Sequence, residues 1–160
     1  MTAATTVLLL ATCAAAATDI RSHRIPNVLT GSTAIAAIAI SLFAGPSAVV
    51  TCVVAMAAAF AVGSIAFSAG WFGGGDVKLI AACCGLAGFP GAVTLVLFIL
   101  IAGPVLALVT AAARGRLVAL VKSTAAVAAH GAPVAEVPLP YAVAIAAGSI
   151  AFVATALVRP

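Results

Sequence analysis

From Ile25 to Gly75 this chain carries no charged side chain, and residues 1–18, 79–113 and 141–158 are equally free of charge. Uncharged runs of that length leave few foldable states. A globular domain of this size needs a charged surface to face water, whereas apolar runs of 17 to 25 residues suit the hydrocarbon core of a bilayer. With 66% apolar residues, 6% charged ones and a mean hydropathy of +1.37, the chain reads as an all-α, polytopic membrane helix bundle. No polar linker or second composition divides it, so residues 1–160 are expected to form one integral-membrane domain. The bilayer is its expected surrounding partner, and no nucleic-acid partner is expected.

Charge, proline and glycine mark off about six spans: Thr2 to Thr18, Val28 to Ala44, Ser47 to Phe67, Val77 to Ala87, Ala92 to Ala113 and Tyr141 to Val158. Gly45-Pro46 reads as the turn between the second and third. The fourth run reaches only about 16 Å, short of a roughly 30 Å hydrocarbon core, so either it is sunk into the protein at one end or the bilayer is thinned there. Leu117 to Ala129 is also short and carries Lys122, which suits the membrane surface or a re-entrant piece. Arg21 and Arg24 follow the first span, Lys78 the third, and Arg114, Arg116 and Lys122 the fifth; with six spans these fall on one side. Cytoplasmic loops collect Lys and Arg, so both termini are expected outside. Cys13, Cys52, Cys83 and Cys84 lie in apolar runs without zinc-ligand spacing, and read as small packing residues.

Against that background the three acidic residues stand out. Asp19 ends the first span and Asp76 follows Gly73-Gly74-Gly75 at the head of the fourth, both on the expected cytoplasmic face. Two carboxylates meeting in a partly dry site cannot both ionise easily, and one then holds a proton near neutral pH. That pair can activate water and polarise a peptide carbonyl. The glycines would supply positive φ and close approach for a substrate strand, and the helix dipole would favour the Asp76 anion while a neighbouring carboxylate opposed it. Plainer roles exist for each residue. Asp76 can be a helix N-cap, and Asp19 an interfacial residue paired with Arg21, His23 or Arg24. Lys78 can snorkel to headgroups; two residues from Asp76, its side chain should diverge from that carboxylate. Pro26 with Asn27 can start the second helix, and Trp71 and Phe72 can anchor at the interface. Glu136 is a reserve carboxylate.

The stretch Asp19-Ile20-Arg21-Ser22-His23-Arg24-Ile25-Pro26-Asn27 resembles the first aspartate motif of prepilin peptidases, and Gly73-Gly74-Gly75-Asp76-Val77-Lys78 matches their second motif, G-x-G-D-x-K. Pro138-Leu139-Pro140-Tyr141 is similar to the segment that opens the family's last helix. The resemblance implies a GxGD-class aspartyl endopeptidase that removes basic leaders from type IV or Flp-like prepilins or pseudopilins at the cytoplasmic face of a prokaryotic inner membrane. It implies Asp19 and Asp76 as the catalytic pair, a site shaped by Gly73, Gly74 and Gly75, and support or substrate contact from Pro26, Asn27 and Lys78. Neither metal nor cofactor is implied. The partner would be a precursor with an apolar N-terminal helix, its glycine just before the cut. Larger relatives carry an N-terminal zinc-cysteine domain tied to N-methylation; since Asp19 is reached after one span, peptidase without methyltransferase is expected, as in the short tight-adherence pilus peptidases. A small ion-coupled transporter and a non-catalytic assembly component of a pilus or secretion system are the rival readings.

Overall fold

The computed structural model describes residues 2–113 and 141–158, and the described residues form helices with no strand. The order is α1 (Ala3–Ser22), α2 (Asn27–Ala44), α3 (Pro46–Ser68), α4 (Gly74–Ala87), α5 (Gly91–Ala113) and α6 (Tyr141–Val158). All but α4 are long and apolar enough to cross a membrane. Large apolar side chains such as Val28, Ile35, Phe43 and Ile65 point outward, as expected when lipid rather than water surrounds the bundle. The readings placed on Leu117 to Ala129, on Glu136 and on Pro138 to Pro140 lie outside the described residues, as do Arg114, Arg116, Lys122 and Arg159.

The length of α4 has a direct consequence. Fourteen residues reach about 21 Å, too short to cross alone. The bundle resolves this by enclosing α4: it packs against α1, α2, α3, α5 and α6, while α6 also lies along α1 and α5. Val77, Leu79 and the run from Ala81 to Gly85 are buried, and Leu79, Cys83 and Cys84 join Leu8, Leu95, Ile99 and Ile145 in the core. Small side chains permit these close approaches. A Cβ at Gly63 would meet Val77 Cγ1 at 2.7 Å, and one at Gly85 would meet Met56 Cγ at 2.5 Å. Such helix contacts rest on van der Waals packing in a membrane.

Gly45 turns the chain into α3 with φ 111°, and Pro46 occupies the first helical turn, where its missing N–H is no loss. The glycine-proline turn therefore falls where the sequence puts it. The first helix runs one turn beyond its expected end at Thr18. Ser22 Oγ donates to Thr18 O at 2.8 Å, and the His23 N–H closes the helix on Asp19 O at 2.8 Å with His23 at φ 49°. Asp19 is thus inside α1, on the buried stripe of Leu8, Ala11, Thr12 and Ala15, which recurs at three- and four-residue steps.

Candidate active site

That stripe aims the Asp19 carboxylate into the bundle, where the residue keeps only 7% of its exposure. Its Oδ2 accepts the Ala142 N–H at 3.1 Å, in the first turn of α6. The first N–H groups of a helix lack intrahelical acceptors, and the positive end of the macrodipole lies there. Asp19 thereby ties the end of α1 to the start of the last helix. Its hydrogen bond comes from Ala142 rather than from Arg21, His23 or Arg24, which are all exposed.

Asp76 arrives from the opposite direction. The Gly73 N–H donates to its Oδ2 at 3.1 Å, making Gly73 the N-cap and Asp76 the third helical residue. Two expectations change here. Asp76 is not itself the N-cap, and α4 begins at Gly74, so Gly74 and Gly75 belong to the helix rather than to a loop. Gly73 has φ −74°, and the glycines with positive φ among the described residues are Gly45, Gly70 and Gly88. The glycines serve instead by lacking a Cβ. One at Gly73 would sit 2.9 Å from Asp76 Oδ2, and one at Gly75 would sit 3.2 Å from Ile25 Cβ. Through Gly75 the start of α4 lies against the α1–α2 connection, which follows Asp19.

Burial pushes the Asp76 carboxyl up to about 6, against the Gly73 N–H that favours its anion, and the like charge of Asp19 adds to the rise. Asp76 precedes the apolar run of a helix outside the five long spans. Of the opposing influences expected on it, desolvation wins, and the two aspartates are near enough for one charge to act on the other.

The remaining expected residues fall around this pair. The exposed Lys78 has a protein partner: its Nζ donates to Asn27 Oδ1 at 3.0 Å, joining the starts of α4 and α2. Its side chain diverges from Asp76, as the helical angle requires. Pro26 caps α2, its carbonyl accepting the Leu29 and Thr30 N–H groups. Trp71 is exposed as an interfacial residue would be, but Phe72 is half-buried and stacks edge-on against Tyr141, ring centroids 4.8 Å apart at 72°. Sequence reasoning gave Tyr141 no role at the site. Its signal was its place as the chain's sole tyrosine at the opening of the last helix. Nothing in the sequence could announce the Ala142 N–H, because a backbone donor carries no residue type.

A helical membrane bundle whose two aspartates converge at one end is the class of protein these features define. The sequence profile of the type IV leader peptidase family matches residues 6–112, which include both aspartates. The chain belongs to that family. Searches among curated proteins and among solved structures returned no match.

The Gly75 contact makes a specific expectation. Gly75→Val adds two methyl groups beyond a Cβ already tight against Ile25, and displacing the Asp76 turn by about an ångström can cost ~100-fold in rate. Steady-state cleavage should fall by about tenfold or more, and Ile25→Ala in the same chain should restore part of it. Unchanged kinetics in the single variant would show that the contact does not position the site.

Proposed function

We propose that this chain is an aspartic-type endopeptidase that removes the basic leader from prepilin-like precursors at the cytoplasmic face of the membrane. The observation that carries this reading is that Asp19 and Asp76 lie near enough for the charge of Asp19 to raise the Asp76 carboxyl. They come from separate motifs, and the charge of one acts on the other.

Asp76, the carboxyl raised by burial, is suited to hold a proton. Asp19 is suited to accept one, its orientation fixed by the Ala142 N–H. A water molecule between them loses a proton to Asp19 as its oxygen attacks the peptide carbonyl, while Asp76 protonates the carbonyl oxygen to give a tetrahedral gem-diol. Collapse of the diol breaks the C–N bond, the departing nitrogen takes a proton from Asp19, and a diol hydroxyl returns its proton to Asp76. Leader acid and mature amine are released, with both carboxyl groups reset. The cytoplasmic assignment draws on Arg21, Arg24 and Lys78, which lie near the pair and follow the positive-inside pattern.

The test is a purified preparation in liposomes given a designed precursor: a short basic leader, a glycine before the cut, an apolar helix of about 20 residues and a C-terminal tag. One shorter product, cut after the glycine by mass spectrometry, is expected. No product across a panel of such precursors would contradict the reading. The pH dependence follows from Asp76. An acid whose pKa is raised keeps its proton to higher pH than usual, and the reaction needs that proton. Cleavage should therefore rise as pH falls from 8, by about tenfold per unit at first and levelling near 6. A rate that is flat or falling over that interval would mean Asp76 is not the proton donor.

A further inference from the structure

The third and fifth helices both pack on α4 but stand apart from each other. The gap between them is an apolar cavity of about 300 Å³, with Val77 and Ile80 of α4 as its floor, Ala59 and Gly63 on one wall, and Val96 and Leu97 on the other. A second cavity of about 290 Å³, bounded by Trp71, Gly103 and Tyr141, shares Phe72 and Leu100 with the first. Phe72 stacks on Tyr141, and the next residue, Ala142, holds Asp19. On the floor, Val77 directly follows Asp76. The apolar path from the outer flank of the bundle thus passes one residue from Asp76, at Val77, and one residue from Ala142, which donates to Asp19, at Tyr141.

We propose that this α3–α5 cleft seats the apolar helix of the precursor, in parallel with α4, and delivers the peptide bond ahead of that helix to Asp19 and Asp76. The inference rests on the peptidase reading and adds the route of access and the segment recognised. Three observations select this occupant. The cleft adjoins the candidate site at Val77, the residue after Asp76. Its α3 wall is built of small residues, against which a helix can lie closely. Asp76 stands next in the chain to Val77 on its floor, and its negative charge is complementary to a basic leader preceding the helix. The larger groove on the other flank of α3, about 560 Å³ between α2 and α3, differs in its charge. Lys78 and Asn27 lie on its wall, where a cation would repel a basic leader.

The two flanks can be compared directly. A benzophenone side chain would be placed at Leu97 in the cleft or at Phe60 in the α2–α3 groove, both exposed positions. Each would be made in an Asp76→Asn chain so that the designed precursor remains whole. Photolysis should join the precursor, through its apolar helix, to position 97 and not to position 60. Adducts at 60 only, equal adducts at both, adducts between two copies of this chain, or lipid adducts alone would each overturn the proposal. A second comparison fills each flank. Ala58→Trp, in the cleft, should lower kcat/KM for the membrane-inserted precursor by at least about tenfold, mostly through KM, whereas Ala57→Trp, in the other groove, should stay within about twofold. Cutting by the unmodified chain, measured alongside, separates the two claims. If it cuts but the adducts fall elsewhere, only the docking route fails; if it cuts nothing, the peptidase reading fails.

Discussion

Asp76→Asn should leave the precursor uncut while the protein accumulates in the membrane at its normal level. The substitution keeps nearly the same shape, and the amide oxygen of Asn can still accept the Gly73 N–H that Asp76 accepts at 3.1 Å. It removes only the acid and the charge. Loss of one member of a general acid–base pair typically costs ~10²- to 10⁴-fold, so product should vanish from a gel that resolves a few per cent of cleavage. Asp19→Asn should do the same, because its amide oxygen can still hold the Ala142 N–H. Asp19→Ala would also leave that buried donor unpaired, at a cost of about 1–3 kcal/mol, and should reduce protein level as well as activity. The Asn variants therefore separate chemistry from folding, and quantitative immunoblotting of membranes beside the cleavage gel reads both.

Gly148→Leu should be the most damaging change away from the carboxylates. At this position α6 meets the backbone of α5: a Cβ would lie 2.7 Å from Ile99 N and 2.8 Å from Ile99 Cα. Backbone atoms in a helix cannot swing aside as a flexible side chain can, so the helices must separate. Overpacking of this kind costs about 1–3 kcal/mol and sometimes more; Gly148→Ala should fall within that range and Gly148→Leu at or above its upper end. Thermal unfolding in detergent, followed by loss of monodisperse protein, should show a lowered midpoint for both in that order. Cleavage should fall too, because α6 carries the N–H that orients Asp19. A Gly148→Leu chain as stable as the wild type would mean that the α5–α6 contact is not close.

Much of this arrangement was legible before any coordinates. Long uncharged runs mark membrane helices without ambiguity, Gly45-Pro46 marks a turn because its chemistry admits little else, and two aspartate motifs in order mark the candidate pair. Orientation was harder. In α1 nearly every residue is small or apolar, so no contrast between faces reveals that Asp19 rides with Leu8, Thr12 and Ala15 toward the interior. Three consecutive glycines suggest a loop, yet two of them enter a helix once the Asp76 side chain satisfies the Gly73 N–H. The Lys78–Asn27 bond spans two distant segments, and no local pattern forecasts such a pairing. The short fourth run raised a choice between a thinned bilayer and burial in protein, and only the packing of the five other described helices around it favours the second.

The claim that Asp19 and Asp76 act as one unit is tested most directly by a double-substitution cycle. Single-turnover cleavage of the designed precursor would be measured for the wild type, Asp19→Asn, Asp76→Asn and the double variant. Residues that share one step are strongly non-additive, so each single variant should already be as slow as the double. A single variant that still cuts at the wild-type rate, or losses that multiply in the double variant, would contradict the paired-carboxylate account.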